Sequence, residues 1–282
     1  MTGAFPGLFV VLWSTGFIGA KLGLPYAEPA TLLVIRFLLV LAILLPLCWL
    51  VGARWPTPRS AAHMVIAGVF LQAGYLGGVF VSLAKGMPAG VSALITGLQP
   101  VVTALLGAWL LHERSTPRQW AGLGLGLAGV LLVVGDRIAL ERLGLEAIGF
   151  SVLALASISL GTVWQKRHGA AVDLRTGAAL QFMAAAVVLA PFALLFETRE
   201  VRWTGEFAFA LAWLVLVLSF GAIFLLLYLI RHGAATRVAS LFYLVPPTTA
   251  LIAWPLFGET YSLTAAAGMG LAMLAVWLVT KP

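Results

Sequence analysis

The sequence has few charged residues and almost no cysteine, and both shortages narrow what the protein can be. Asp, Glu, Lys and Arg make up 10% of the 282 residues, whereas hydrophobic residues make up 62%. In a soluble domain about a quarter of the residues are charged and roughly half are apolar, so this composition predicts an integral membrane protein. The single cysteine, Cys48, excludes a disulfide framework and a thiolate metal site within one chain.

Acidic residues are absent from the middle of every long apolar stretch, and no familiar catalytic motif occurs. There is no Gly-x-Ser-x-Gly and no His-Glu-x-x-His, and the four histidines all lie beside charges at the ends of apolar stretches. An intramembrane enzyme is therefore only a remote alternative, and we predict no metal site and no cofactor. An obvious carboxylate for carrying protons or sodium ions through the membrane is missing too.

The net charge is +7, yet the basic residues form no patch of the kind that binds nucleic acid. They are scattered in ones and twos at the ends of apolar stretches. If the amino terminus is cytoplasmic, ten of them lie in inside-facing loops and six in outside-facing loops, and only Arg36 lies within an apolar stretch. The positive-inside rule therefore predicts a multi-pass protein in the lipid bilayer with both termini in the cytoplasm and no nucleic-acid partner.

Ten apolar segments, most of them about 20 residues long, follow one another through short loops. Each is long enough to be read as a membrane span, so the predicted fold class is all-α with ten transmembrane helices. The predicted spans are Phe5–Ala20, Ala30–Leu50, Ala62–Ala84, Ala89–Leu111, Trp120–Val134, Ala147–Trp164, Leu174–Phe196, Glu206–Ile230, Ala235–Phe257 and Leu263–Val279.

The second half of the sequence resembles the first. A shift of 146 positions superposes Pro100 on Pro246, and a shift of 145 superposes Ser14 on Ser159. We therefore predict two five-helix repeats, residues 1–140 and 141–282. Because five is odd, the second copy would enter the membrane from the opposite side, and such an inverted repeat supplies the two conformations of alternating access. A duplication retained only for packing is the other reading.

Prolines interrupt the fourth and ninth predicted spans at corresponding positions. A proline removes a backbone donor and clashes with the carbonyl four residues earlier. Pro100 lies about 11 residues into its span, roughly 16 Å along a helix and near the middle of the membrane. Pro246 and Pro247 take that place in the second half. Freed carbonyls in a bilayer need a partner or water, so we expect these kinks to face a cavity, although neighbouring helices also satisfy such groups.

Polar and aromatic side chains near the kinks are candidates for contact with a solute. Gln99 offers two donors and an acceptor without a permanent charge. Gln72 and Tyr75 share a face at helical spacing in the third span. Each of these residues alone is also compatible with helix packing. The predicted solute-binding residues are Trp13, Ser14, Gln72, Tyr75, Gln99, Ser159 and Tyr243.

Three charged residues are predicted to gate the protein or to stabilise it. Arg36 lies roughly 9 Å into the second span, where a charge is costly and usually functional, although an arginine near a helix end can also reach the interface. It could pair with a solute carboxylate or a helix carboxyl terminus, and we favour a structural or gating role. Glu113 and Glu259 end the fourth and ninth spans on opposite faces, either as alternating gates with nearby arginines or as solvated helix ends.

The fifth span carries glycines at the spacing of close helix contacts. Gly122, Gly126 and Gly129 recur every three or four residues, which favours tight packing and weakly favours dimerisation. We predict a monomer or a weak homodimer.

Several motifs resemble one known family. WSTGFIGAKLG at 13–23, IRF at 35–37, SALITGLQPVVTALLGAWLLHE at 92–113 and the paired helix-loop-helix units resemble the EamA-type members of the drug/metabolite transporter superfamily. The resemblance covers essentially the whole chain and implies the bacterial inner membrane. It also implies a central cavity between the first, third, fourth, sixth, eighth and ninth helices. The best-understood members to which the chain is similar are exporters of amino acids, notably aromatic ones.

These observations predict an exporter of small metabolites, with aromatic or large neutral amino acids as its solutes, that works by alternating access. Multidrug or quaternary-ammonium efflux is the alternative. A carrier of cations would be expected to place a buried carboxylate against the charge, and none is present.

Overall fold

The structure is a computed structural model that describes residues 4–110, 117–141, 144–169, 171–222, 225 and 242–280. All regular secondary structure in these residues is helical, and they include no β-strand. The α-helices are α1 Ala4–Gly23, α2 Pro29–Leu50, α3 Pro58–Gly68, α4 Tyr75–Ala84, α5 Ala89–Gly97, α6 Gln99–Leu110, α7 Pro117–Glu141, α8 Leu145–His168, α9 Leu174–Phe196, α10 Gly205–Ala212, α11 Val245–Phe257 and α12 Leu263–Thr280. A π-helix, π1 (Val69–Gly74), joins α3 to α4, a second, π2 (Trp213–Ala222), continues α10, and a 3-10 turn over Phe242–Leu244 leads into α11.

Five stretches of the described chain have the length and composition to cross a membrane. They are Pro29–Leu50, Pro58–Ala84, Leu145–His168, Leu174–Phe196 and Gly205–Ala222. Five further apolar helices of 10–17 residues coincide with the remaining predicted spans. The predicted all-helical class is therefore confirmed, whereas the ten crossings and the inverted repeat stay predictions.

Large apolar side chains cover the outside of the long helices. Leu38 is 55% exposed, Leu131 70% and Val187 68%, each within a helix and not in a loop. Soluble monomers rarely expose extended apolar patches. An apolar exterior of this kind is suited to contact with lipid chains.

Short polar residues fix where several helices begin. Thr57, Asp173 and Thr204 each precede a first helical turn and accept a hydrogen bond from a backbone N–H within it. Hydrogen bonds from Arg175 to the Asp173 carboxylate lower the pKa of Asp173 to about 2. Such side-chain acceptors satisfy amide groups that the start of a helix leaves without an intrahelical partner.

The predicted fourth span is two helices that meet at Leu98. Pro100 has no N–H, so the Thr96 carbonyl lacks its usual partner four residues later. The chain tightens instead, with the Leu98 N–H bonded to the Ile95 carbonyl at 3.2 Å, and α6 begins at Gln99.

The prolines of the second half also lie at the start of a helix, as Pro100 does in α6. Pro246 and Pro247 lie in the first turn of α11, directly after the 3-10 turn. A proline in the first turn sacrifices no hydrogen bond, because that N–H has no intrahelical partner. The sequence predicted a kink within one helix here, whereas in the structure the prolines begin an α-helix.

Neither π-helical segment was predicted from the sequence. A shift of 145 residues places π1 within π2, so both occupy corresponding positions in the third and eighth predicted spans. π-helical turns are rare and occur often at functional sites. In this chain they lie in two of the spans that the family resemblance assigns to the cavity.

Helices of one half pack mainly on helices of the other. α1 lies against α11 and π2, α8 against α4 and α6, and α2 against α9. Helix α7 packs on α12, and there Gly129 and Gly268 bring the two backbones together. A Cβ on Gly129 would lie 2.5 Å from the Gly268 carbonyl oxygen. At Gly129 the glycine-rich face of α7 therefore packs against α12 of the same chain. The weak homodimer stays a prediction.

Candidate functional site

A small cavity, which we call the central cavity, lies beside the break between α5 and α6 and the 3-10 turn that leads into α11. Helices α1, α4, α5, α6, α8 and α11 each contribute to its wall. Irregular backbone at membrane depth is tolerated where it lines a cavity, which accounts for the break at Leu98 and for the 3-10 turn that leads into α11. The lining residues are Trp13, Phe17, Tyr75, Ala93, Thr96, Gly97, Gln99, Pro100, Ile158, Phe242 and Val245.

One wall of the central cavity is aromatic. The rings of Phe9, Trp13 and Phe242 contact one another, with centroids 5.2–5.5 Å apart. Trp13 and Phe242 meet edge to face and both line the cavity. Such contacts hold large rings in fixed positions, so this wall offers a preformed apolar surface.

The lining of the central cavity also includes a neutral amide. Gln99 donates from Nε2 to the Thr162 hydroxyl at 3.0 Å, and that hydroxyl in turn donates to the Ile158 carbonyl at 2.6 Å. The short chain of hydrogen bonds joins the start of α6 to α8 and fixes the orientation of the amide. Within the described residues, the side-chain oxygen of Gln99, Oε1, has no hydrogen-bond partner and remains an available acceptor.

Ser14 and Ser159, which correspond in the predicted repeat, differ in their bonding. The Ser14 hydroxyl bonds to the Val10 carbonyl at 2.7 Å and lies 3.3 Å from the Val245 carbonyl, which ties α1 to α11. Ser159 is fully buried, and its hydroxyl has no partner in the described part of the chain. The corresponding acceptor for Ser159 would be the carbonyl of Gln99.

Some residues that were predicted to bind the solute do not line the central cavity, and some residues that line it were not predicted. Gln72 is half-buried in π1 and does not line the central cavity. Tyr243 lies in the 3-10 turn, but its side chain falls outside the described residues, and its neighbour Phe242 lines the cavity instead. Thr96 and Ile158 were not predicted as lining residues. Their positions were signalled only indirectly, by Pro100 four residues after Thr96 and by Ser159 next to Ile158.

The central cavity is closed in this conformation. Its volume is about 20 Å³, which is room for roughly one water molecule. An amino acid does not fit without separation of the walls. The described residues therefore form a site that must open before it admits a solute.

A larger cavity, which we call the vestibule, opens at one end of the helix bundle. It has a volume of about 450 Å³ and lies beside the end of α1, the end of α4 and the start of α10. Lys21 lies over the ring of Phe257 at 4.8 Å. The residues that line the vestibule are Lys21, Leu22, Leu24, Pro25, Tyr26, Leu83, Ala84, Glu206 and Phe257.

Glu259 is buried between the vestibule and the central cavity. Its carboxylate accepts hydrogen bonds from Lys21 Nζ at 2.5 Å, from the Tyr261 hydroxyl at 2.6 Å and from the Ala89 N–H at 2.8 Å. Gly258, with a positive φ of 65°, ends α11 and turns the chain toward this position. Lys21 and Ala89 each lie one helical turn from a cavity-lining residue, Phe17 and Ala93, so this cluster lies on the vestibule side of the central cavity.

The cluster favours an ionised Glu259. Burial alone would raise the pKa of this carboxyl, but hydrogen bonds from Lys21, Tyr261 and the Ala89 N–H outweigh burial and hold the pKa below its ordinary value. The carboxylate also meets the positive end of the α5 dipole. The sequence predicted arginine partners for Glu259, and in the structure the partner is Lys21. Glu113 lies outside the described residues.

Arg36 is the predicted intramembrane charge, and the structure buries it. The residue is 6% exposed and bonds to Ser219 of π2. It does not line the central cavity in this conformation.

A helical membrane protein whose interrupted helices meet around a buried cavity has the architecture of a secondary transporter. Comparison with known proteins agrees with this class and gives the family. The model of the EamA-like transporter family matches residues 3–135 and 145–281. The chain therefore belongs to the EamA-like transporter family and is a multi-pass membrane protein of that family.

Similar proteins carry transporter names. The uncharacterized inner membrane transporter YedA of Escherichia coli K12 is 28% identical over 281 residues, which cover 99% of this chain and 90% of YedA. A probable amino-acid metabolite efflux pump of Salmonella typhimurium is 28% identical over 161 residues, 57% of this chain and 52% of the pump. A solved crystal structure that is 22% identical superposes with a TM-score of 0.65 over 98% of this chain and 95% of its own, which shows a shared fold.

Proposed function

We propose that this chain exports small metabolites across a bacterial inner membrane, with aromatic or large neutral amino acids as its solutes. The observation that carries the proposal is the central cavity, whose lining combines the aromatic rings of Trp13 and Phe242 with the neutral amide of Gln99. An apolar ring of the solute packs against Trp13 and Phe242, and the Gln99 amide hydrogen-bonds the polar end of the same solute. The similarity to a probable amino-acid metabolite efflux pump supports this solute class.

The transporter works by alternating access between two related halves. The family model matches two stretches that meet near residue 140, and the π-helical segments recur at a shift of 145 residues. In this conformation Glu259 and Lys21 close the vestibule side. In the sequence, Glu113 and Lys166 correspond to Glu259 and Lys21, and we expect that pair to close the other face when the first pair opens. With both termini cytoplasmic, the vestibule faces outward.

The bonding of the two serines supports such an exchange. Ser14 ties α1 to α11 now, whereas buried Ser159 has an unused hydroxyl. A hydroxyl without a partner in a buried site is costly, and a conformation in which Ser159 reaches the Gln99 carbonyl would remove that cost. Each serine would then be bonded in one of the two states.

Uptake into proteoliposomes tests the proposed solute class. We expect saturable uptake of radiolabelled phenylalanine, tryptophan or leucine, with roughly a tenfold loss of apparent affinity in Gln99→Ala, because one or two hydrogen bonds to the solute disappear. Gln181→Ala is the matched control. It removes a buried glutamine whose amide bonds to Gln165 at 2.9 Å, away from the cavity lining.

The outcomes separate the alternatives. Equal loss of uptake in both glutamine variants would indicate damage to the fold and contradict a solute contact at Gln99. Uptake of a quaternary ammonium compound but of no amino acid would contradict the proposed solute class and support multidrug efflux. The described cavity lining holds no carboxylate for such a cation, which is why we propose amino acids.

A further inference from the structure

Arg36 is a buried cation with very few partners. It lies in the second turn of α2, and only 6% of the residue is exposed. Its Nε and Nη2 atoms lie 3.4 and 3.1 Å from a single acceptor, the hydroxyl oxygen of Ser219 in π2. The Ser219 hydroxyl in turn donates to the Leu214 carbonyl at 3.1 Å, so it is a neutral partner.

This arrangement leaves the guanidinium of Arg36 largely uncompensated. A guanidinium has five N–H donors, and Ser219 is the only side chain that accepts from it among the described residues. No acidic side chain of the described chain pairs with Arg36. A buried charge without a counter-ion is strongly unfavourable, so such a residue indicates a missing anionic partner.

The corresponding position in the second half has no charge. Gln181 lies 145 residues later in the sequence, is also buried, and donates from its amide to Gln165 at 2.9 Å. A neutral, paired side chain therefore meets the structural needs of this position. The positive charge of Arg36 therefore indicates a partner that Gln181, at the corresponding position of the second half, does not bind.

Arg36 is close to the wall of the central cavity. Helix α2, which carries Arg36, packs against α4, whose first residue, Tyr75, lines the cavity. Helix α2 also packs against π2, which contains Ser219. The hydrogen bonds to Ser219 are easily exchanged, because a neutral acceptor holds a guanidinium less strongly than a carboxylate does.

We propose that Arg36 binds the carboxylate of the transported solute when the central cavity opens, and that the protein therefore selects solutes with a carboxylate. This inference rests on the proposed transport function and names the group that all solutes share. The carboxylate accepts from the free N–H groups of Arg36 in place of Ser219. The Gln99 amide and the aromatic wall then contact the remainder of the solute.

Three small probes separate the groups of a zwitterion. L-Phenylalanine has an ammonium and a carboxylate, L-phenylalaninamide lacks the carboxylate, and 3-phenylpropionate lacks the ammonium. Their binding to the purified full chain in detergent is measured by isothermal titration calorimetry. We expect binding of the two carboxylates, weak binding of the amide, and no competition by chloride.

Substitution of Arg36 should remove this preference. In Arg36→Gln, which copies the side chain of position 181, we expect roughly a 10- to 100-fold loss of affinity for the two carboxylates and little change for the amide. Arg36→Lys keeps the charge but cannot form two parallel bonds, so its loss should be smaller. Gln181→Ala is the control, in which the preference for carboxylates should be retained. If Arg36→Gln does not fold, the smaller selective loss in Arg36→Lys carries the test.

Each outcome decides one of the two proposals. Binding of 3-phenylpropionate without phenylalanine would support Arg36 and contradict the amino-acid function. Transport of phenylalanine with an unchanged carboxylate preference in both Arg36 variants would contradict the role of Arg36 and leave the function intact. Absence of carboxylate binding to the unmodified chain, or competition by chloride alone, would also overturn the role of Arg36.

Discussion

Replacing Glu259 with glutamine should open the vestibule side of the protein and lower its thermal stability. The substitution keeps the size of the side chain but removes the charge that holds Lys21 and the start of α5 together. Hydrogen bonds to a charged group contribute about 1.5–3 kcal/mol each, but Lys21 is partly exposed to water. We therefore expect a net loss of roughly 2 kcal/mol from the closed state.

Labelling of a single cysteine measures this opening. Cys48 is replaced by alanine, a cysteine is placed at Thr96 in the cavity lining, and a membrane-impermeant maleimide is added from the vestibule side. The expected loss corresponds to roughly a 30-fold larger open fraction and a matching increase in labelling rate. An unchanged rate would contradict the role of Glu259 as a gate.

Glu197 provides a matched control for this experiment. Its carboxylate accepts from the Ala30 and Thr31 N–H groups at 2.8 and 2.7 Å, so it also caps the start of a helix from a distant part of the chain. It makes no contact with Lys21. Glu197→Gln should lower the stability without faster labelling at residue 96. Equal acceleration in both variants would show general loosening instead of gating.

The same cluster predicts how stability depends on pH. The pKa of Glu259 is below its ordinary value in the folded protein, so its contribution is fully present above the unfolded pKa of about 4.3. It is lost as the pH falls through the lowered folded pKa. The decrease in melting temperature between neutral and acidic pH should therefore be smaller in Glu259→Gln than in the unmodified chain.

The centre of the candidate site follows from local chemistry and was therefore predictable from the sequence. Pro100 removes the N–H from which the Thr96 carbonyl would accept, so a break beside Gln99 is expected without knowledge of the neighbours, although Pro46 and Pro191 lie inside continuous helices. Trp13 and Tyr75 are large polar-tipped rings in otherwise apolar spans, and both line the cavity. The partner of Glu259 was not predictable, because Lys21 is 238 residues away along the chain.

The misplacement of Gln72 has a specific physical cause. The sequence prediction assumed a regular α-helix, in which Gln72 and Tyr75 share one face. Gln72 lies in π1, where each hydrogen bond spans five residues instead of four, and this wider turn changes the direction of the following side chains. No residue in Val69–Gly74 forces a π-helix by itself. The segment forms where π1 packs against α8 and α9, and such tertiary contacts are not visible in a single sequence.

Adding one methyl group at Gly129 should destabilise the protein through the contact between α7 and α12. In Gly129→Ala the new Cβ would lie 2.5 Å from the Gly268 carbonyl oxygen and 2.9 Å from the Ala272 nitrogen. Both are backbone atoms, so a side-chain rotation cannot relieve the clash and the helices must separate. Overpacking of this kind costs about 1–3 kcal/mol, and we expect a decrease of several degrees in melting temperature.

Gly124→Ala, in the same helix, separates this packing effect from helix propensity. A Cβ on Gly124 meets no atom within 4 Å, and alanine favours a helix over glycine by roughly 0.8–1 kcal/mol. The two variants should therefore change the melting temperature in opposite directions when both are measured in the same detergent. Equal melting temperatures would contradict the close contact of α7 with α12. If only Gly124→Ala lowered the stability, the exposed glycine would be the packing position, and dimerisation through that face of α7 would become the better explanation.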